Sequence, residues 1–257
     1  MTKSMKIQIV GSGCSSGVPR ADGYWGACDP HNPKNRRRRC SAFVSKHDKT
    51  IVIDTSPDFR EQAIDAKLSQ IDAVLFTHDH ADQTHGLDDL RAFVLSRRKK
   101  VDAYMDQACF DSLVTKFHYI FHGQNDYPAI CQAHFLPPLG TDFSLHGFDI
   151  KTFDQVHGHI HSVGYRIDGF AYSSDISDLP EDSFATLQNL DLWVVDALRY
   201  APHPSHSHLE KTLAWIERVR PKRAILTNLH QDMDYEVLKS QLPDGVEPAF
   251  DGMEIII

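Results

Sequence analysis

The sequence predicts an α/β fold in which two mixed β-sheets lie together between outer helices. Short β-branched apolar runs come in clusters, and helical stretches lie between and after those clusters. Near the middle, Pro137-Pro138-Leu139-Gly140 marks a turn at which two pseudo-symmetric halves would meet. The 257 residues, 41% hydrophobic and 24% charged, are enough to bury a substantial core and exclude fibrous or disordered classes. With no internal repeat and no low-complexity linker, residues 1–257 read as one domain.

The runs Lys6 to Val10, Ala42 to Ser45 and Thr50 to Asp54 are bounded by Gly, Asp or Ser and read as strands. The first feeds a glycine loop from Gly11 to Gly17. A helix around Pro57 to Leu68 precedes the buried strand Ala73 to Phe76, which ends directly in Thr77-His78. Downstream, helices are expected near Leu87 to Ser96, Phe110 to Phe121, His208 to Val219 and Tyr235 to Leu242. Strands are expected near Asp102 to Met105, Phe148 to Phe153, Ser162 to Ile167, Ala171 to Ser174, Leu192 to Asp196 and Arg223 to Thr227.

Composition limits the partners. A formal net charge of −8 argues against an extended nucleic-acid surface, which needs a broad basic face. The N-terminal segment Met1 to Val10 has neither the pattern of a signal peptide nor the length of a membrane span. Five cysteines without a CxxC pair point to free thiols in a reducing compartment, so a cytoplasmic location is expected. The 16 histidines stand out, because imidazole is the commonest metal ligand and the usual acid or base near neutral pH.

Their placement is informative. In Thr77-His78-Asp79-His80-Ala81-Asp82-Gln83-Thr84-His85-Gly86, two imidazoles two residues apart follow a strand and are joined by a carboxylate. Imidazoles with one anion suit zinc, manganese or iron better than magnesium or calcium, which prefer all-oxygen shells. A bland polar turn is the alternative, and three histidines with three aspartates between His78 and Asp88 weigh against it.

This string resembles the H-x-H-x-D-H signature of the metallo-β-lactamase superfamily, whose fold is a four-layer αββα sandwich. Further matches follow in the family's order: His157 before Gly164-Tyr165, then Ser173-Ser174-Asp175, then Leu226 to His230. Within the superfamily the chain is similar to the branch of the cyclic phosphodiesterase of phosphonate breakdown and the tRNA 3′-processing endonuclease. That likeness rests on Gly11-Ser12-Gly13, Gly17-Val18-Pro19, Trp25-Gly26, Arg39-Cys40-Ser41 and Asp251-Gly252-Met253. The resemblance implies that His78, His80 and His157 hold one divalent ion, and that Asp175 bridges to a second also bound by Asp82. It further implies that water between ions about 3.5 to 4 Å apart ionises near neutral pH and attacks a phosphorus in line. A homodimer is left open, dimers being frequent in the superfamily.

Two positions depart from the pattern. Gln83 stands where the signature has a histidine ligand, and Asn228 stands where the related phosphodiesterase has another. Histidines reappear two residues later, as His85 and His230. On a strand, a shift of two keeps the side chain on the same face, so His230 is expected as a replacement ligand. If the first segment is helical, the same shift turns the side chain about 200°, so His85 is expected at substrate or beside a ligand instead. Both ions, zinc or manganese, are expected, with a weaker preference for zinc at the second position.

The stretch Pro204-Ser205-His206-Ser207-His208 resembles the family's proton-donating segment, which implies that His206 protonates the leaving group. Ser207 and Glu210 read as a capping box, placing His206 at a helix N-terminus whose dipole would hold it near neutrality. The glycine loop with Ser15, and Arg39 in the run Arg36 to Arg39, are expected to meet an anionic substrate, although such runs are most often solvated. Asp54 resembles the family's carboxylate that orients a ligand histidine. Cys28 and His31 leave too few sulfurs for the accessory zinc site of the related phosphodiesterase.

These expectations amount to a phosphodiesterase acting on a small cyclic or nucleotide-like substrate through a metal-bound hydroxide, with Asp82 and His206 in catalytic positions. Three rivals remain. The same site serves thioesters or lactams elsewhere in the superfamily. RNA 3′-end processing needs a long arm or basic face that the sequence lacks. A disabled second metal site would leave a metal- or nucleotide-binding protein.

Overall fold

The computed structural model describes residues 4–257. The first three residues, part of the segment read above for a leader, lie outside the described residues. In chain order the strands are β1 (Met5–Gly11), β2 (Ser41–Lys46), β3 (Lys49–Ile53), β4 (Ala73–Leu75), β5 (Val101–Met105), β6 (Cys131–Phe135) and β7 (Asp142–Leu145). They continue with β8 (Phe148–His157), β9 (Ile160–Ile167), β10 (Phe170–Ser173), β11 (Leu192–Asp196), β12 (Ala224–Thr227), β13 (Val246–Pro248) and β14 (Met253–Ile256). The helices are α1 (Phe59–Asp65), α2 (Ala81–Thr84), α3 (Arg91–Arg97), α4 (Gln107–Lys116), α5 (His118–His122), α6 (Ser183–Thr186), α7 (Leu209–Val219) and α8 (Tyr235–Gln241).

One sheet runs β14-β1-β2-β3-β4-β5-β6 and the other β13-β12-β11-β10-β9-β8-β7. The chain passes from the first to the second between β6 and β7, across the turn at Pro137 to Gly140. Apart from β14, which returns to pair with β1, each half of the chain builds one sheet.

Three apolar layers hold the sandwich together. Between the sheets, Ile7, Ile9, Ile51, Ile53 and Leu75 of the first pack with Tyr165, Ile167, Tyr172 and Val194 of the second. Phe43, Val52 and Val74 face the other way, onto Phe59, Leu90 and Leu113. Trp193, Val195 and Leu226 likewise face Trp215, Ile216 and Leu238. A strand covered on both faces needs apolar residues at every position, which is why β3 reads Thr-Ile-Val-Ile without alternation. The helices are covered on one side only, and α7 accordingly buries Thr212, Trp215, Ile216 and Val219, the spacing of one helical face.

Two expectations fail. The single helix over Phe110 to Phe121 is two, broken at Phe117, whose φ of −135° and ψ of 48° are not helical. Strands β6, β7, β13 and β14 were not expected, and they are the four sheet edges. An edge strand is half solvated, and the pattern Cys-Gln-Ala-His-Phe of β6 or the terminal Pro248 of β13 carries little apolar signal.

Strands β3 to β6 run parallel, as do β10 to β13, and β8 shares the direction of β10 through the antiparallel β9. Their carboxyl ends carry Asp54, His78, His157, Asp175, Asp196 and Asn228. In open α/β sheets, ligands bind beyond that edge of the strands.

Candidate metal centre

Backbone conformation explains part of the residue choice at these strand ends. Asp54, Asp175 and Asn228 have φ of 59°, 53° and 61°. Asp and Asn tolerate this left-handed region better than other side chains. Each strand therefore ends in a sharp turn that presents a polar side chain at the edge.

His78, His80 and His157 offer ring nitrogens that all lie within 4.8 Å of one another. His157 Nε2 is 3.2 Å from His80 Nδ1. His157 is held by Nδ1–H donation to the Ser205 carbonyl at 2.7 Å, which aims Nε2 toward the other two rings. His78 is held by a relay: its Nδ1 is 3.0 Å from Thr77 Oγ1, and the Thr77 hydroxyl donates to Asp54 Oδ2 at 2.8 Å. Thr77 N–H donates to the other Asp54 oxygen at 2.8 Å. Because the hydroxyl proton is spent on Asp54, Oγ1 accepts from Nδ1–H, and His78 presents a bare Nε2. That Nε2 is buried without a hydrogen-bond partner. Burial pushes the His78 pKa well down, with His157 and His80 adding to the effect. Three imidazoles gathered at one point, one of them with an orphaned buried nitrogen, fit a borderline divalent cation. Burial also lifts the Asp54 carboxyl well above its usual range, against the pull of the two Thr77 bonds.

Beside this group lie two carboxylates. Asp175 Oδ1 is 4.0 Å from His157 Nε2, and burial raises its pKa although His206 and His157 oppose the shift. Burial and the charge of Asp175 raise Asp82 as well. Gln83 is fully buried between them. Its Nε2 donates to Asp175 Oδ2 at 2.9 Å and to Asp82 Oδ2 at 3.2 Å, while its Oε1 has no partner.

A second set of donor atoms, His157, Asp175 and His206, also lies within 4.8 Å. His206 Nδ1 is 2.9 Å from Asp196 Oδ2, 3.8 Å from Asp175 Oδ1 and 3.1 Å from Asn228 Nδ2. Burial alone would push this imidazole down, but Asp196, by charge and hydrogen bond, together with Asp175 and Asp82, pushes it up to about 9. The expected helix-dipole effect is thus overturned by carboxylates at contact distance. The capping box does not form either: α7 starts at Leu209, and Ser207 Oγ bonds Thr212 Oγ1 at 2.7 Å.

The centre opens into a cavity of about 430 Å³ whose lining includes Ser15, Asp82, His206, His159, Ile160 and Pro204. A larger cavity of about 590 Å³, whose lining includes Arg91, Val94, Leu95, Tyr119, Gln124 and Tyr127, lies elsewhere and shares no residue with this centre.

Three expected residues stand outside this assembly. His230 Nδ1 is 3.0 Å from Asp232 Oδ2, and its backbone N–H donates to Leu198. The same-face argument fails there because β12 ends at Thr227 and Asn228 is left-handed. His85 caps the short helix α2, is exposed, and packs edge-on against Phe117 at 5.2 Å. Arg39 Nε lies 2.9 Å from Asp58 Oδ2, and the side chain does not line the cavity. Around Cys28, the buried Arg37 guanidinium lies 3.6 Å from the thiol and also donates to the Met233 carbonyl at 2.7 Å. Sequence reasoning missed Asp196, although a buried run ending in Asp, Leu192-Trp-Val-Val-Asp196, is the same signal that marks Asp54 and Asp175.

Residues 49–228 match the Beta-lactamase superfamily domain family. Among solved structures, one described as a new diphosphatase from the PhnP family is 33% identical, covers 99% of this chain and 97% of its own, and superposes with a TM-score of 0.90. Human tRNase Z, short form, is 16% identical with a TM-score of 0.72, covering 97% of this chain and 98% of its own, and shares the fold. A curated relative, an octanoyltransferase of Porphyromonas gingivalis, is 32% identical over 98% of this chain but 52% of its own length. This chain therefore spans about half of that protein. No helix among the described residues is long and apolar enough to cross a membrane. On its sandwich fold, its His-rich strand ends and these matches, the chain belongs to the metallo-β-lactamase superfamily, as a hydrolase-fold member that binds divalent metal.

Proposed function

We propose that this protein hydrolyses a small phosphodiester, cyclic or nucleotide-like, with His206 as the proton donor. The observation that carries the reading is the pairing of His206 with the buried Asp196 at the wall of the cavity that holds the three-histidine centre. His78, His80 and His157 would hold one divalent ion, and Asp82 with Asp175 a second, zinc or manganese. Such ions supply Lewis acidity, acidifying water and neutralising charge on phosphoryl oxygens.

The chain's own groups do the rest. Asp196 fixes the His206 ring through Nδ1, so Nε2–H is the atom left for a leaving oxygen. Asp196, which is not among the residues that would hold metal, favours the protonated imidazole by charge and by its hydrogen bond to Nδ1. The Ser205 carbonyl keeps His157 aimed at the centre. The cavity of about 430 Å³ suits a nucleotide-sized molecule and not an enclosed polymer, and the net charge of −8 speaks against an extended RNA surface. The likeness to a PhnP-family diphosphatase adds diphosphate diesters to the substrates worth testing.

The test is turnover by metal-replete protein of bis(p-nitrophenyl) phosphate, a 2′,3′-cyclic nucleotide, a nucleoside diphosphate diester and an acyl thioester. Phosphodiester turnover is expected. His206→Ala should lose roughly 10²- to 10⁴-fold on the nucleotide substrates and far less on p-nitrophenyl esters, whose leaving group needs no proton. The octanoyltransferase relative favours one second reading, acyl thioester hydrolysis, although the rest of that protein lies outside the match. Turnover of the thioester alone would establish it. No turnover of any substrate would leave a metal- or nucleotide-binding protein.

A further inference from the structure

We propose that Gln83 makes the second metal position conditional: one ion is retained by His78, His80 and His157, and a second binds only as an exchangeable, oxygen-preferring cation between Asp82 and Asp175. The inference rests on the three-histidine group being a metal centre and is independent of which ester is cleaved.

Gln83 is fully buried, and one nitrogen serves both carboxylates, at 2.9 Å to Asp175 Oδ2 and 3.2 Å to Asp82 Oδ2. A neutral carboxamide thus satisfies the two acceptors that a second cation would use, and the ion must displace it. Hydrogen bonds to carboxylates are the strong kind, so the competition is substantial. The other end of the same group is anomalous: Oε1 is buried without a partner, a state proteins rarely leave uncompensated. A half-turn of the amide exchanges the two ends at almost no steric cost. It would present Oε1 between Asp82 and Asp175, where a cation makes three oxygens compatible when both carboxyls are ionised.

The donors then decide which cation. Three imidazoles at the first position suit zinc, whereas two carboxylates and an amide oxygen suit a harder ion such as Mn²⁺. His206 lies near Asp175, but its Nδ1 is engaged with Asp196 at 2.9 Å, and His230 is turned toward Asp232, so neither imidazole joins Asp82 and Asp175 in this arrangement. The same tip geometry therefore accounts for a one-ion state with N–H groups inward and a two-ion state with the oxygen inward.

Metal content settles the matter without substrate. After zinc loading and exhaustive dialysis against metal-free buffer, the wild-type chain should retain about one zinc, measured by plasma mass spectrometry. Added Mn²⁺ should then bind reversibly, followed by the loss of its free-ion electron paramagnetic resonance signal. Gln83→His should retain about two zinc ions. Gln83→Glu, with the same shape but no N–H competitor, should bind Mn²⁺ at least tenfold more tightly, with circular dichroism confirming that each variant is folded. Two zinc ions retained by the wild type, no Mn²⁺ binding, or unchanged Mn²⁺ affinity in folded Gln83→Glu would overturn the proposal. Retention of no ion would overturn it together with the proposed reaction. One retained ion without phosphodiester turnover would sink that reaction and leave this inference standing.

Discussion

The His206 environment gives a quantitative prediction for the metal-free protein. The imidazole is pushed from 6.5 up to about 9, because Asp196, Asp175 and Asp82 outweigh the cost of burial. Its side chain is 15% exposed, so solvent screens little of that field. A rise of roughly 2.5 units at 1.36 kcal/mol per unit is about 3 kcal/mol. The sign follows from which state holds the proton more tightly. A group whose folded pKa is raised contributes fully below its unfolded value, near 6.5, and loses that contribution as pH climbs through about 9. For a chain of this size, about 3 kcal/mol corresponds to roughly 6–12 °C in Tm. Chelated wild-type and His206→Gln proteins should therefore differ most in Tm near pH 6, and the difference should shrink steadily to pH 9.5. Subtracting the two curves removes the contribution of carboxyls that titrate in both. A Tm difference flat across that window would refute the reasoning and would mean that the three carboxylates do not stabilise a charged imidazole. Reloading with metal should compress the effect, because a cation on Asp175 competes with His206 for the same field.

Three further outcomes are expected. Thr77→Val cuts the relay from Asp54 to His78 and should weaken metal binding about 10- to 100-fold in chelator competition, with little change in far-ultraviolet dichroism. Gly164→Ala would set a Cβ 2.2 Å from the ring of Phe153 and 2.7 Å from Gln155 Oε1, so denaturant melts should show about 1–3 kcal/mol of destabilisation. His85→Ala should leave metal stoichiometry unchanged, since that ring rests on Phe117; a lost ion in the variant would return His85 to the centre.

Much of the architecture was legible along the chain because burial leaves a local trace. Strands covered on both faces read as unbroken apolar runs, as in β3 and β11, and α7 showed its one buried face at helical spacing. The four edge strands left no such trace, since half their surface meets water. The donor string from His78 to Asp82 was legible for a related reason: polar ligands directly after a buried strand have little other purpose there.

Which donors meet was not legible. His80 and His157 are 77 residues apart, and Gln83 and Asp175 are 92 apart. Only the packing of two sheets brings their carboxyl ends to one edge. The assignment of His230 assumed that β12 continued past Thr227, but a left-handed turn at Asn228 ends the strand and sends the later side chain toward Asp232. His206 was assigned to a helix dipole from its place in the sequence, whereas its charge is governed by Asp196, ten residues away on another element. Patterns within single elements sufficed for the sandwich, its crossing point and the neighbouring pair His78 and His80, whereas His157 entered only through the family resemblance. The tertiary structure decided which carboxylates face His206 and what Gln83 spans, because electrostatics and hydrogen bonding act through distance in space and not along the chain.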